Sequence, residues 1–157
     1  MLRYDYVEPS SDPLKATGFL TDNFLPLLDE FWTARGAEYY QAEHWDMQAV
    51  DFTHLWMNRT LVLIMAYDDD RPAGFILAAQ IRPFLQARRA LQIEQWYGQS
   101  AEVEAGLFKY LGEIFRFFQA DSLVVPEYPA AMKCPLPETW EPANLSLSLR
   151  TQRHYVR

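Results

Sequence analysis

The amino-acid sequence predicts a single α/β domain built on a mixed central sheet that is flanked by helices. Residues 61–67 and 73–81 are two apolar runs separated by a short polar segment, a pattern typical of antiparallel neighbours buried on both faces. A predicted strand at 91–97, a long amphipathic helix and a predicted strand at 122–125 then follow in quick succession. That succession predicts a crossover onto a parallel strand. With 157 residues and no recognisable repeat or linker, one domain over 1–157 is expected.

The first part of the chain predicts one strand and two helices. Residues 2–7 alternate between apolar and polar side chains, which indicates a short strand, and the turn-rich segment 8–13 ends it. Apolar residues then recur at helical spacing, so a helix is expected over 24–36. A weaker helical pattern lies between residues 44 and 58.

The connections later in the chain follow from proline and glycine. Arg82-Pro83 ends the second apolar strand, because proline cannot donate to a strand ladder. Residues 98–100 end the strand predicted at 91–97 and begin the long helix, whose apolar stripe continues to Gln119. Prolines make residues 126–143 irregular, whereas residues 145–149 alternate and predict a closing strand.

Composition excludes several classes of function. Hydrophobic residues make up 50% of the chain, so a sizeable core can form. The formal net charge is −7, and the dense basic pair Arg88-Arg89 is too small a cluster to neutralise a nucleic-acid backbone. Cys134 is the one cysteine, so no disulfide can form within the chain, and no apolar stretch suits a signal peptide or a bilayer span. A cytoplasmic protein that binds neither nucleic acid nor membrane is expected.

Three short motifs sharpen the fold prediction. His44-Trp45, followed by Asp51-Phe52, stands in the early helical part of the chain. Pro72-Ala73-Gly74-Phe75 forms the turn into the second apolar strand, and Ile81-Arg82-Pro83-Phe84 forms its proline-bearing exit. In this order, over roughly 20–125, the chain resembles the small phage-encoded proteins of the GNAT superfamily of N-acetyltransferases. The resemblance implies a GNAT-like fold, acetyl-CoA-dependent N-acyl transfer to an amine, and a place in the host cytoplasm.

The resemblance also implies a loop at the start of the long helix, where backbone N–H groups would hold the pyrophosphate of acetyl-CoA. The cofactor-binding residues implied in this way are Trp96, Tyr97, Gly98, Gln99, Ser100, Ala101 and Gly106. Only the last small residue of the family motif is matched, because Ala101 replaces a Gln or Arg and Glu104 replaces the middle glycine. An acidic residue there opposes the charge of the ligand.

Two interpretations of this segment remain open. In the first, it binds acetyl-CoA, and Lys109 or the pair Arg88-Arg89 offsets the acidic charge. In the second, Ser100 caps the helix, and Glu102 and Glu104 complement its positive end, so that the chain supplies its own anions.

The candidate catalytic residues also come from the resemblance. It implies a glutamate on the strand before the loop as the base that deprotonates the amine, and Glu94 occupies that strand with Gln92 on the same face. The alternative for Glu94 is an exposed or ion-paired acid. The resemblance implies a tyrosine that protonates the leaving thiolate, for which Tyr128 is the candidate, with a packing role as the alternative. Cys134 is interpreted as an incidental thiol.

No metal site is expected, and the partners remain open. Asp51 and His54 share a helical face but lack a third ligand at suitable spacing, and the acidic run 68–70 is most simply a solvated turn. The alternative to an enzyme is an inactive GNAT scaffold that binds and modulates a host protein, for which exposed tryptophans would serve as anchors. A homodimer is a further expectation.

Overall fold

The structure, a computed structural model, describes residues 1–37, 48–81, 89–126, 134–142 and 152–156. In this part of the chain, seven strands form one sheet. They span Leu2–Tyr6 (β1), Leu61–Asp68 (β2), Arg71–Ile81 (β3), Ala90–Gly98 (β4), Ser122–Pro126 (β5), Glu141–Pro142 (β6) and Gln152–Val156 (β7). Their order is β1-β2-β3-β4-β5-β7-β6. Neighbours run antiparallel except β4 and β5, which run parallel, so the sheet is mixed.

Helices cover both faces of this sheet. They span Pro13–Phe19 (α1), Leu25–Phe31 (α2), Ala49–Met57 (α3) and Ala101–Ile114 (α4). Wider π-helical turns at Leu20–Phe24 and Trp32–Gly36 continue α1 into α2 and beyond it. A 3₁₀ turn at Phe115–Phe118 extends α4.

The two faces of the sheet bury two separate apolar clusters. On β2, Leu63 and Met65 pack with α1, α2 and α3, whereas Val62 and Ile64 pack with α4. Burial on both sides explains why the sequence of this strand is continuously apolar rather than alternating. The helical segment of α1 and α2 and the start of α4 therefore lie on opposite sides of the central strands.

The β2–β3 hairpin is tighter than the sequence suggests. Asp69 and Asp70 have φ values of 46° and 66°, the left-handed geometry of a two-residue hairpin turn. The flanking residues Asp68 and Arg71 pair with each other. The polar connection predicted at 68–72 is thus shorter, because its outer residues belong to the strands.

The structure confirms the predicted α/β fold, the first five strands and the parallel crossover from β4 to β5. The first helix, predicted over 24–36, begins earlier at Pro13, because the Asp12 side chain caps the helix and proline is favourable in a first turn. The second helix begins at Ala49. The closing strand predicted at 145–149 lies outside the described residues. β6 falls in the segment that was predicted to be irregular, because Glu141 and Pro142 pair with β7, which was not predicted either.

Within the described part, no helix combines the length and apolar character needed to cross a bilayer.

Candidate functional site

A gap opens between the two parallel strands at the centre of the sheet. β4 pairs with β5 only over three residues, from Ala90 opposite Ser122 to Gln92 opposite Val124. β4 nevertheless continues to Gly98. From Ile93 onward its edge on this side pairs with no described strand, and the carbonyl of Trp96 and the amide of Gly98 bond to side chains instead.

A β-bulge shapes β4 at the point where the gap begins. Ile93 pairs with Ala78 and Gln95 pairs with Leu77, which leaves Glu94 as an extra residue in the ladder. Ile93 and Trp96 consequently pack on the same face, against α4, although residues three apart on a regular strand face opposite sides. The bulge therefore sets the orientation of every β4 side chain beyond it.

Glu94 is a half-buried carboxylic acid held by its neighbour. Gln92 Nε2 donates a hydrogen bond of 2.8 Å to Glu94 Oε1, so the contact expected from their shared face is present. Burial raises the pKa of the Glu94 carboxyl above its ordinary value, and the hydrogen bond from Gln92 offsets part of that rise. A carboxylate tuned in this direction is a stronger base than an exposed one.

Two glycines let the first turn of α4 approach the end of the gap. Gly74 and Gly98 pair across β3 and β4. A Cβ on Gly98 would lie 2.7 Å from Glu104 Cγ, and one on Gly74 would lie 2.7 Å from Val103 Cγ1. The glycines at these positions are explained by close packing of helix on strand.

The start of α4 satisfies its own backbone donors. Ser100 is the N-cap, and its Oγ accepts from Val103 N at 3.2 Å while its carbonyl accepts from Glu104 N at 3.2 Å. The predicted capping by Ser100 is therefore confirmed.

A partly buried ion pair that the sequence did not predict lies at this end of the gap. Arg35 Nη2 donates to Glu104 Oε1 at 2.9 Å and to the carbonyl of Trp96 at 2.7 Å. The same oxygen of Glu104 accepts from Gly98 N at 3.2 Å. The two side chains are only 21% and 18% exposed, so solvent screens the pair weakly. Because Arg35 follows α2 and Glu104 belongs to α4, the pair joins the two helical layers across the sheet.

Aromatic rings hold Arg35 in place. Its guanidinium carbon lies 5.6 Å from the ring centre of Trp96 and 5.8 Å from those of Phe31 and Tyr97. No signal in the sequence links Arg35 to Glu104, which is 69 positions away. Contacts of this kind depend on how the layers pack.

The other residues implied for the cofactor loop have mixed surroundings. The Trp96 side chain is 1% exposed and packs edge-to-face on Phe108, so its ring belongs to the core. Gly106 lies inside α4, and a Cβ there would collide with the ring and hydroxyl of Tyr4, which explains its small size independently of any ligand. Ala101 is exposed.

The basic residues that could offset the acidic charge of the implied cofactor loop do not lie at the Gly98 end of β4. Arg89 immediately precedes β4 and bonds Asp121 and Gln119, at the end of the strand away from Gly98. Lys109 is exposed two turns into α4. Arg88 and the candidate acid Tyr128 lie outside the described residues.

Other candidate chemistry has structural explanations. Asp51 accepts from Gln48 N in a capping box at the start of α3. Burial, with the nearby Glu104 carboxylate, raises the pKa of the Cys134 thiol well above its ordinary value, so this thiol is unreactive near neutral pH. Among the described residues, no three His, Cys, Asp or Glu side chains are grouped to hold a metal ion.

The chain's own groups occupy much of this end of the gap. Arg35 bonds the carbonyl of Trp96 on the edge of β4 that faces the gap. At the helix end, Ser100 and Glu104 occupy the amides of Val103, Glu104 and Gly98. Of the first-turn amides, those of residues 101–102 are in no described hydrogen bond. A diphosphate at this end would therefore compete with the Glu104 carboxylate for the amide of Gly98.

Comparison with solved structures shows that the chain has the GNAT fold. No protein-family model and no curated protein sequence matches this chain. Its structure is similar to that of an aminoglycoside acetyltransferase from an uncultured soil metagenomic sample, with a TM-score of 0.60 at 10% identity over 83% of this chain and 79% of the other. It is also similar to the ribosomal-protein-alanine N-acetyltransferase of Brucella melitensis biovar Abortus 2308, with a TM-score of 0.55 at 17% identity over 80% and 78% of the chains.

A third similar structure was determined with a ligand. It is an aminoglycoside 6'-N-acetyltransferase complexed with coenzyme A, with a TM-score of 0.50 at 14% identity over 80% of this chain and 61% of the other. These similarities confirm the GNAT-like fold that the sequence motifs implied.

Proposed function

We propose that this chain is an acyl-CoA-dependent N-acyltransferase whose acceptor is a primary amine. The observation that carries the proposal is the position of Glu94, a half-buried carboxyl on the bulge where β4 and β5 separate. The acetyltransferase fold of the similar structures supports the same chemistry.

In the proposed reaction, Glu94 acts on the amine with the help of Gln92. A bound acyl-CoA would supply a thioester carbonyl that an amine can attack. Glu94 accepts the proton that the amine loses, and Gln92 holds the carboxylate by its hydrogen bond. A C–N bond replaces the C–S bond, and the departing thiolate takes a proton, for which Tyr128 is the proposed donor on the resemblance alone.

The surroundings of Tyr97 support a cationic acceptor. A shallow depression of about 410 Å³ lies beside this residue, and it is lined by Asp29, Glu30, Thr33, Ala34 and Tyr97. Its two acidic residues favour a positively charged amine over a neutral or anionic acceptor.

The direct test is acetyl transfer from acetyl-CoA to a panel of amines, measured by mass spectrometry of the acceptors. We expect Glu94→Gln to lower the rate by about 10²- to 10⁴-fold. Glu113→Gln, which changes an exposed acid at the far end of α4, is the matched control and should leave the rate unchanged. Equal rates for wild type and Glu94→Gln would contradict the proposal.

The second candidate is a scaffold without catalysis, and the observation that favours it is the Glu104 carboxylate seated on Gly98 N. In that case the chain would act by binding a host protein in the cytoplasm of a phage-infected cell, alone or as a homodimer. Calorimetric titration separates the two candidates. If neither wild type nor a Glu104 variant binds acetyl-CoA at millimolar concentration, the scaffold is supported and the enzyme is not.

A further inference from the structure

The Glu104 carboxylate is bound in the way that proteins bind an anionic ligand. One of its oxygens receives a backbone N–H from Gly98 and a guanidinium N–H from Arg35. A backbone amide together with an arginine is a common donor set for phosphate and carboxylate groups of ligands. Here the anion belongs to the chain itself.

Helix capping does not account for this position of Glu104. Ser100 already binds the amides of Val103 and Glu104, so the first turn of α4 has its cap without the glutamate side chain. Gly98 N, which Glu104 does bind, belongs to β4 rather than to the helix. The carboxylate thus covers a donor that faces the gap and that no described strand uses.

Arg35 would keep its position if Glu104 moved away. The carbonyl of Trp96 accepts from the same Nη2 at 2.7 Å, and three aromatic rings surround the guanidinium. An arginine fixed by contacts other than its counter-ion is preorganised for a second anion. Lys109 lies more than one turn beyond Glu104 on α4, and Arg89 precedes the opposite end of β4.

We propose that Arg35 and the Gly98 amide form an anion site that Glu104 fills when no ligand is bound, and that the ligand is the diphosphate of the acyl donor. The identity of the ligand rests on the proposed function. Arg35 acts here as a binding residue, and Glu104 acts as a displaceable internal anion.

The test is calorimetric titration of wild type, Glu104→Ala and Glu104→Gln with coenzyme A. We expect both variants to bind coenzyme A roughly tenfold more tightly than wild type, because a repelling charge a few ångströms from the phosphates is removed. Glu104→Gln keeps an oxygen that can accept from Gly98 and Arg35, and so retains the local packing if Glu104→Ala unfolds. Thermal denaturation checks folding.

A matched control separates this site from general charge repulsion. Glu102→Ala removes the same charge from an exposed side chain in the same helical turn, and should improve affinity by clearly less than Glu104→Ala. The double variant Arg35→Ala/Glu104→Ala should lose the gain. If Glu102→Ala and Glu104→Ala improve affinity equally, or if the double variant keeps the gain, the site is disproved.

Two further probes identify the part of the ligand that is bound. Inorganic pyrophosphate should bind Glu104→Ala more tightly than wild type, whereas pantetheine, which has no phosphate, should not distinguish them. Tight binding of pyrophosphate without any acetyl transfer would support the anion site and refute the proposed enzyme. If acetyl transfer depends on Glu94 but Glu104→Ala binds coenzyme A no more tightly than wild type, the anion site is refuted and the proposed enzyme activity stands.

Discussion

Gln92 and Glu94 are joined by a 2.8 Å hydrogen bond on the strand edge where the sheet opens. The donor is an amide and the acceptor a half-buried carboxyl, so the bond favours the ionised form of Glu94 against the effect of burial. Gln92 is therefore a positioning residue that also tunes the acid.

Removing the Gln92 amide should raise the pKa of Glu94 further. In Gln92→Ala, burial acts on Glu94 without the opposing hydrogen bond, so the carboxyl loses its proton at higher pH. The acid limb of the pH–rate profile for acetyl transfer should shift upward, while the rate at high pH changes less. An unchanged limb would show that Gln92 does not tune Glu94.

Stability should depend on the ionisation of Glu94 even without a substrate. The carboxyl has a higher pKa in the folded protein than in the unfolded chain, so the folded state binds more protons between those two values. Its contribution is fully present below the unfolded pKa and is lost as pH rises through the folded one. Glu94→Gln should therefore raise Tm relative to wild type at neutral pH, and the difference should shrink as pH falls below the ordinary carboxyl range. A difference in Tm that is constant with pH would contradict this account.

Gly98 should tolerate no larger residue. In Gly98→Ala the new Cβ would lie 2.9 Å from the backbone N of Glu104, so α4 must shift, and we expect a loss of about 1–3 kcal/mol in the free energy of unfolding. Gly18→Ala in α1 is the control, because nothing lies within 4 Å of its Cβ. It should be neutral or stabilise by about 0.5–1 kcal/mol, measured by urea denaturation.

Gly106 should behave unlike an ordinary helical glycine. Alanine is normally favoured inside a helix, but a Cβ at this position meets the Tyr4 side chain from β1. Gly106→Ala should therefore destabilise the protein, and a smaller residue at position 4 should relieve the effect. A double-mutant cycle with Tyr4→Ala should give a coupling of about 1 kcal/mol, and additive effects would remove the explanation.

Hydrophobic patterning made most of the fold predictable. β2 is continuously apolar because both of its faces are buried, and α4 carries an apolar stripe because one face packs on the sheet. Local periodicity therefore predicted a strand and a helix correctly. The first residues of the helices were harder to predict, because Pro13 fits a first helical turn as well as it fits a loop. The expected role of Tyr128 stays a prediction.

Part of the candidate site could likewise be predicted from local sequence patterns, and part could not. The amino-acid sequence by itself determined that Glu94 lies on a central strand, that Ser100 begins the long helix, and that acids crowd the first turn of that helix. Only the tertiary structure decided that an extra residue at position 94 turns the strand, and that Arg35 reaches Glu104 across the sheet. The physical reason is range: periodicity and capping act between residues a few positions apart, whereas ladder register and an ion pair between layers depend on where distant segments pack.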